Sequence, residues 1–599
     1  MTGKTVRVGC HSGFWGDTET AAAQLVRHGD VDYLVSDYLA EVTMSIMAAQ
    51  KLRNPQAGWA TDFVSAVMGP LAREISDRKI KVVTNAGGVN PQACRDAVLK
   101  ACEAAGVSLK VAVVLGDDLA PRVEEFRAAD TREMDTGATL PARVVSMNAY
   151  LGGFPIARAL AEGADVVING RCVDSAVTLG ALIHAFGWVP EDLDRLAAGT
   201  LCGHIIECGA QCNGGNFTDW HLVPDYDNMG FPVAEVSADG SFVLSKPDNT
   251  GGLISPATVA EQMLYEIGDP RAYIVPDVVC DFTAATYEQV GKDRVRVSGA
   301  RGRPATDSYK VSTTFPDGFK FASIFMLGGR DAAAKGRHSA ESIVKKARRL
   351  FAEKGLADFR DVSIEVIGAE ATYGPHARAG NTREVVVKLA ARHESKDALA
   401  LLGREIAPMS TGGVVGMTGS FGAGRVSAQP VIRMFSCLVP KHQVPVTVDI
   451  DGRQIPMQEG ARAGGFNPAS LPVEAPPLAG GSGATTTVPL VALAYGRSGD
   501  KGDNANIGIF ARKPEYQPIL DAELTEQAVA AWFAHRIKGK VTRWRLPGIH
   551  GFNFLLREAL GGGGMASIKA DPLAKAFAQM LLDMPVRVPE ALARELAAA

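Results

Sequence analysis

Short β-branched runs alternate with helically spaced apolar runs through roughly the first 200 residues. TVRVGC (Thr5 to Cys10) reads as a strand, and ETAAAQLVRHG then carries helical spacing that closes at Gly29. VDYLVSDYL is a second strand, followed by the helical AEVTMSIMAAQKL. IKVVTNAGG and LKVAVVLGDD are two more strands, each ending in a polar loop, with the helix PQACRDAVLKACEAAG between them. ADVVINGRCVDS (Ala164 to Ser175) repeats the pattern, and a helix runs from Val177 to Phe186. Strands alternating with helices predict a parallel sheet with right-handed crossovers and helices on both faces. Ligands bind such sheets at the carboxyl ends of the strands, where the polar motifs of this chain fall.

The periodicity weakens after this α/β unit, expected over 1–270. GTLCGHIIECGAQCNGGNFTDW (Gly199 to Trp220) reads as a glycine- and cysteine-rich turn. SPATVAEQML is a capped helix start. Over 271–470 β-rich runs such as REVVVKLAAR alternate with helices such as ESIVKKARRLFAEKG, which predicts a middle α+β domain. LPVEAPPLAGGSGATTT (471–487) has the composition of a linker. Beyond it, 488–599 reads as strand, loop, strand, helix, strand, a pattern that suits a ferredoxin-like α+β domain.

Composition narrows the class. A chain of 599 residues predicts several domains, and 46% apolar with 21% charged residues is ordinary for a soluble globular protein. The formal charge of −4 and the lack of a dense Lys/Arg cluster speak against a nucleic-acid partner. No apolar run is long enough for a membrane span, and MTGKTVRVGCHSG enters a strand at once, without a signal peptide. Nine scattered cysteines predict reduced thiols and a cytoplasmic protein.

Four stretches carry candidate chemistry. GCHSGFWGDT has neither the dinucleotide fingerprint nor the Walker spacing, but it offers Ser12 and Asp17 at the sheet edge. Polar residues recur after successive strands: Asp37, Asn85 and Asn90, Asp117 and Asp118, then Asn169, Arg171 and Asp174. Each alone reads as a helix N-cap, whereas their recurrence points to one shared site, with Arg171 suited to clamp a carboxylate or phosphate. CGHIIECGAQCNGG brings Cys202, His204, Glu207, Cys208 and Cys212 together at a spacing that matches no zinc module, so no metal is predicted. A cysteine nucleophile with His204 as base is a second reading there, inert buried thiols a third, and Asn213 and Asn216 are candidates to orient a substrate carbonyl. YGRSGDKGDNANIG (Tyr495 to Gly508) fails the calcium-loop and phosphate-loop spacings. It reads as a loop offering Arg497, Ser498, Asp500, Lys501, Asp503, Asn504 and Asn506, either locked by its own Asp–Lys contacts or poised for acid–base work over the strand ends.

With these stretches in view the chain resembles the acyclic terpene utilisation protein A family, AtuA (DUF1446), over almost its whole length. SGFWGD, DYLAEVTMSIM, TNAGGVNP, INGRCVDSA and TGGLISPATVAEQMLYEIGDP are similar to its blocks, and GRSGDKGDNANIG with FNFLLREALGGG resembles the ferredoxin-fold domain often fused to it. The resemblance implies a role in degrading acyclic isoprenoids through acyl-CoA intermediates, and it brings no catalytic residues with it. The expected function is an enzyme acting on a branched acyl-CoA thioester or related carboxylate, a hydratase or lyase step in the first place. Asp500, Lys501, Asp503, His204 and Glu207 are its candidate acids and bases, and the remaining polar loop residues hold the substrate. No organic cofactor is expected, coenzyme A entering as part of the substrate. The alternative is a non-catalytic acyl-CoA-binding subunit or scaffold for a partner enzyme. Size makes a homo-oligomer the expectation.

Overall fold

Five short apolar strands form the parallel centre of the protein: β1 (Thr5–Cys10), β2 (Tyr33–Ser36), β3 (Lys81–Thr84), β4 (Val111–Leu115) and, after the detached β5 (Ser146–Ala149), β6 (Val166–Asn169). They lie side by side in the order β1-β2-β3-β6-β4. Every residue of β2 and β6 is buried, as a parallel strand covered on both faces requires. The helices Thr20–His28, Gly69–Arg78 and Pro91–Ala104 cover one face, and Phe154–Ala161, Ala176–Phe186 and Leu193–Ile206 cover the other. This computed structural model describes residues 3–420, 427–457, 464–478 and 484–598.

The sheet is mixed rather than purely parallel. It grows to 11 strands by antiparallel additions, Val233–Ser237 and then Phe242–Ser245, Arg294–Ser298 and Thr286–Gly291 beside β1, and Thr447–Ile450 with Arg453–Pro456 beside β4. Sheet membership therefore does not follow the boundary expected at residue 270. Strands from beyond it join the first sheet, and β5 leaves that sheet to pair with Ser308–Gly328. That 21-residue strand is the spine of the second sheet: Asp361–Ile367 and Glu384–His393 pack under the helix Ala332–Glu353, while Gln429–Pro440 pairs with the first half of the spine and buries Phe435, Cys437 and Val439 against the first core.

The last domain is a four-stranded antiparallel sheet in the order Ala494–Lys501, Asn504–Ala511, Gly551–Leu556, Val541–Leu546, with a strand pair Thr485–Pro489 and Pro585–Pro589 beside it. The linker expected over 471–487 ends as the first of these strands. Its part before 479 is pinned rather than free: Glu474 pairs with Arg271 at 3.4 Å and Arg545 at 3.7 Å, and Pro472, Ala475 and Pro476 accept arginine hydrogen bonds through their carbonyls. Residues 479–483 of that stretch lie outside the described residues.

Two local readings change. The stretch read as a turn from Gly199 begins inside a helix, Leu193–Ile206. A Cβ on Gly203 would come 2.6 Å from the Ser175 carbonyl, so this glycine sets helix-to-helix approach rather than a bend. The stretch Tyr495 to Gly508 is a β-hairpin, not a loop. Lys501 pairs with Asn504 across a two-residue Gly502–Asp503 turn, and Gly502 takes φ +63°, the conformation that a tight hairpin needs at its first turn position.

Candidate functional site

The carboxyl ends of the parallel strands deliver the expected polar residues to one place. The β1 end supplies the Ser12 carbonyl, which accepts the Asp37 N–H at 3.0 Å. The β2 end supplies Asp37, whose carboxylate takes the Leu39 N–H at 3.1 Å and the Asn85 amide from the β3 end. Asn85 in turn accepts the Tyr38 N–H at 2.7 Å. At the β6 end Asn169 donates to the Thr84 carbonyl at 3.0 Å, and the Arg171 N–H donates to Asp117, from the β4 end, at 2.9 Å.

Arg171 is the hub. Its guanidinium is buried, donates to the Leu39 carbonyl and to Asp174 at 2.9 Å, and lies 4.3 Å from the centre of the Tyr150 ring. The Tyr150 hydroxyl donates to Glu41 at the start of the helix Glu41–Arg53. Burial alone would raise the Glu41 carboxyl, but Arg171, Lys310 and the Tyr150 hydroxyl draw it down to about 2. Asp37 goes the other way: burial and the nearby Asp174 push it well above the usual carboxylate range, against the pull of Arg171. Asp117 is pushed up to about 7 by burial, despite bonds from the Arg171 N–H and Asn148.

Beneath this ring, His204 sits at the end of its helix between Tyr273 (5.2 Å between ring centres) and Phe282 (6.3 Å). Burial lowers it to about 4. Its Nε2 faces the Met263 carbonyl at 2.9 Å, an acceptor only, so Nε2 carries the proton. Its Nδ1 faces Glu207 at 3.1 Å, so that contact needs a proton on Glu207, whose carboxyl burial and the neighbouring Asp174 and Glu266 push well above its usual range. The pair is neutral, Glu207 donating to His204. Glu207→Gln keeps a donor there and is expected to change stability by less than about 1 kcal/mol, whereas Glu207→Ala strands a buried nitrogen at a cost of about 1–3 kcal/mol. Equal losses for the two variants in urea unfolding would mean a charged pair instead.

The C-terminal hairpin closes the outer side. Lys575 bonds Asp500 at 3.5 Å and Glu266 at 3.3 Å and donates to the Tyr265 hydroxyl. Burial and Glu266 push Asp500 up to about 7, Lys575 opposes them, and Glu41 adds to the rise. Lys501 acts on Asp174, Glu207 and His204. Hairpin and strand ends thus form one electrostatic unit. The buried inner group is Arg171, Asp37, Glu207 and His204. The outer group, Asp500, Lys501, Glu266 and Lys575, is in part solvent-facing. A cavity of about 10 Å³ against Arg171 and Glu41 has room for about one water.

Other expected site residues hold the frame. Asp503 does not face the site: its carboxylate accepts the N–H groups of Gly562 at 2.7 Å and Gly563 at 3.1 Å. Asn504 accepts the Glu558 N–H at 3.1 Å, and Ser498 bridges the Ala574 carbonyl and the Ala578 N–H. Asn506 is buried and ties the Leu264 carbonyl and the Glu266 N–H to Asn553, which pins the hairpin to the large domain. Arg497 donates to Gln211 and to the Asn216 carbonyl and lies 4.6 Å from the centre of the Tyr265 ring. Asn216 itself is exposed at φ +60°. Asp17 accepts the Gly13 and Thr18 N–H groups, Asn90 donates to the Pro55 and Ala57 carbonyls, and Asn213 donates to the Gly230 carbonyl. Cys202 and Cys212 are buried thiols raised by burial, and His204 has both nitrogens engaged, so the nucleophile pair read from the sequence is not assembled.

Sequence reasoning gave no weight to His11, yet it stands at the β1 end, buried, lowered to about 4, with Nε2 lacking a partner among the described residues. It also missed Glu41, Tyr150, Tyr265, Glu266 and Lys575. Glu41 lies four residues past Asp37, within reach of the same strand-end rule.

Close approach of the hairpin depends on two glycines. A Cβ on Gly508 would come 2.5 Å from the Leu264 Cβ, and one on Gly499 would come 2.7 Å from the Tyr265 ring. Gly508→Val is expected to cost about 1–3 kcal/mol and to raise amide exchange over 264–268 and 496–508 together. Unchanged exchange over 264–268 would separate that glycine from docking.

Fold and site define a multidomain α/β protein with a buried cluster of ionisable groups at the strand ends, closed by a small C-terminal domain. The chain belongs to the AtuA family: the model described as acyclic terpene utilisation family protein AtuA matches residues 6–450, and that of the AtuA ferredoxin-like domain matches residues 488–587. No curated protein and no solved structure matches the chain.

Proposed function

We propose that this protein is an acid–base lyase of acyclic terpene utilisation, adding water to or removing it from a branched acyl-CoA thioester or a related carboxylate. The observation that carries this reading is Asp500: a carboxyl poised at about 7, bonded to Lys575 and brought over the strand ends beside Lys501. In the dehydrating direction Asp500 takes the proton α to the thioester carbonyl. Lys501 stabilises the negative charge that develops on the carbonyl oxygen. Lys575 gives a proton to the β-hydroxyl, which departs as water, and the proton on Asp500 then restores Lys575. Arg171 and the neutral Glu207–His204 pair hold the charge balance behind these groups.

The family supports the branched substrate class, and coenzyme A would enter as the thioester carrier. A cytoplasmic location fits this reading: all nine cysteines are free thiols, and among the described residues no helix is long and apolar enough to cross a membrane. A homo-oligomer is part of the proposal.

The test is incubation of the purified protein with branched 3-hydroxyacyl-CoA and enoyl-CoA esters in deuterated water. Deuterium at the α-carbon and interconversion of the two esters are expected. Tight binding of the esters with neither exchange nor interconversion would overturn the enzyme reading in favour of a binding subunit.

A further inference from the structure

The face of the second sheet turned towards the C-terminal domain carries cations that its own carboxylates do not match. Val385, Val387, Leu389 and Ala391 enter the core beneath the helix Ala332–Glu353, so Lys388 and Arg392 of the same strand take the other face. Lys320, on the spine strand Ser308–Gly328, stands in register directly opposite Arg392. Like charges placed opposite one another across an antiparallel pair destabilise it, unless an anion lies between them. Lys388 is answered by Glu365 at 2.9 Å, and Arg392 shares Asp317 with Arg360 and Arg433. Lys320 has no carboxylate within ion-pairing distance among the described residues, and its ammonium donates to the Met565 carbonyl at 2.7 Å.

Residues 561–571 of the C-terminal domain run over this face and add to it. Lys388 donates to the Ile568 carbonyl at 2.8 Å, and the Ala570 N–H donates to Glu365 at 2.7 Å. Arg536 donates to the Ala570 carbonyl at 3.0 Å, and Lys569 lies beside Arg536 and Lys538. Neither Arg536, Lys538 nor Lys569 has an ion-pair partner among the described residues. Burial and the neighbouring cations draw both Lys320 and Lys569 below the usual ammonium range. The segment opens on a glycine run: Gly561, Gly562 and Gly563 take φ of +71°, +102° and +84°. The N–H groups of Gly561, Gly564 and Met565 have no partner among the described residues. The face is open to solvent, since Ala322, between Lys320 and Ile324, is exposed, and Lys320, Lys569, Gly561 and Gly562 are only half-buried.

We propose that this face is a phosphate-binding site, for the phosphate groups of the carrier to which the substrate is linked. Unmatched cations and unpaired N–H groups of a glycine run are the two kinds of donor that hold phosphate oxygens. The number of cations favours a multiply charged ligand over a single carboxylate. The place fits as well. The glycine run is tied to the turn of the hairpin that carries Asp500 and Lys501, and the Met565 sulfur lies 4.0 Å from the Ser45 hydroxyl on the helix Glu41–Arg53. The cation face therefore borders the strand-end centre, and one ligand rests its phosphates on the face with its acyl end at the centre. That the carrier is coenzyme A rests on the reaction proposed above; that the face holds phosphate does not.

The test is calorimetric titration of the full-length protein with coenzyme A, pantetheine and inorganic pyrophosphate. Coenzyme A is expected to bind, to be displaced by pyrophosphate, and to weaken with added salt. Pantetheine, which lacks the phosphates, should bind about tenfold or more weakly. Lys320→Gln and Lys569→Gln should each weaken coenzyme A and pyrophosphate about tenfold, the value of one charge-assisted contact, and leave pantetheine unchanged. If Lys320→Gln melts early, Lys569→Gln decides, since the Lys569 ammonium makes no hydrogen bond among the described residues. Coenzyme A binding that is indifferent to both lysines, or no tighter than that of pantetheine, would overturn the site. Pyrophosphate binding that coenzyme A does not share would overturn the carrier as its source. Lysine-dependent binding of coenzyme A by a protein that turns over no ester would uphold the site and remove only the lyase.

Discussion

Arg171→Met should destabilise the protein by about 3–5 kcal/mol at neutral pH, the cost of removing one partner from a buried charge network. The methionine fills most of the volume, so the loss is electrostatic rather than steric. Arg171 is the cation shared by Asp174, Asp37 and Glu41, and its N–H also serves Asp117. The pH dependence gives the prediction its sign. In the wild type Glu41 lies at about 2, below its unfolded value. Its contribution is present above the ordinary carboxylate range and is lost only as the pH falls towards about 2. Without Arg171, Glu41 loses the largest of the pulls that hold it low, and burial acts on Asp37 and Asp174 without the opposing cation, so their folded values rise further above the unfolded ones. Groups of that kind lower stability as the pH rises from the unfolded value through the folded one. The deficit of the variant should therefore be largest at neutral pH and shrink steadily in acid. Urea unfolding of both proteins across that range measures it, and a deficit that stays constant with pH would reject the network account. Arg171→Lys should recover only part, because an ammonium keeps the charge but loses the planar guanidinium that lies 4.3 Å from the centre of the Tyr150 ring.

This network also shows why the strand ends could be read from the sequence. Asp37 and Asn85 each follow an apolar strand directly, Asn169 ends one and Arg171 lies two residues beyond it, and parallel topology brings such positions to one edge whatever the details of packing. Position after a strand is local information. The outer group has no such signal. Glu266 stands at φ +57° just beyond a helix, and Lys575 precedes one in the C-terminal domain; neither belongs to a periodic run. Their meeting with Asp500 depends on how two domains dock, which no window of sequence encodes. The antiparallel additions at 286–298 and 447–456 were hidden for the same reason, since each pairs with a strand far away in the chain.

The hairpin was misread for a different cause. Its strands alternate across the sheet, but Gly496, Gly499, Gly502 and Gly508 break up the apolar pattern that would announce them. Gly502 makes the turn, while Gly499 and Gly508 permit the approach to Tyr265 and Leu264. Density of special residues therefore marked a docking surface as much as a site. Of the polar residues in that stretch, Ser498, Asp503, Asn504 and Asn506 hold the frame, and Asp500 and Lys501 face the centre.

That division gives the sharpest functional test, the contrast between Asp500→Asn and Asp503→Asn. Asparagine keeps the size of aspartate and cannot take a proton at working pH. On the proposed lyase Asp500→Asn should lower kcat about 10²–10⁴-fold and leave thioester binding nearly unchanged, because the lost group acts on a proton and not on the ground-state ester. In the wild type, turnover should rise with pH through about 7, where Asp500 becomes a carboxylate, and this limb should vanish in the variant. The contact with Lys575 survives in part, since the amide oxygen still accepts, so folding should barely change. Asp503→Asn should behave in the opposite way. It weakens a charge-assisted cradle for the Gly562 and Gly563 N–H groups at a cost of about 1–2 kcal/mol, while the rate stays within a few-fold. Rate and melting curves for the two variants thus separate a catalytic carboxylate from a structural one three residues further on, in the hairpin turn. A wild-type rate from Asp500→Asn, or an ascending limb that persists in it, would remove Asp500 from the chemistry and leave the hairpin as a docking device alone.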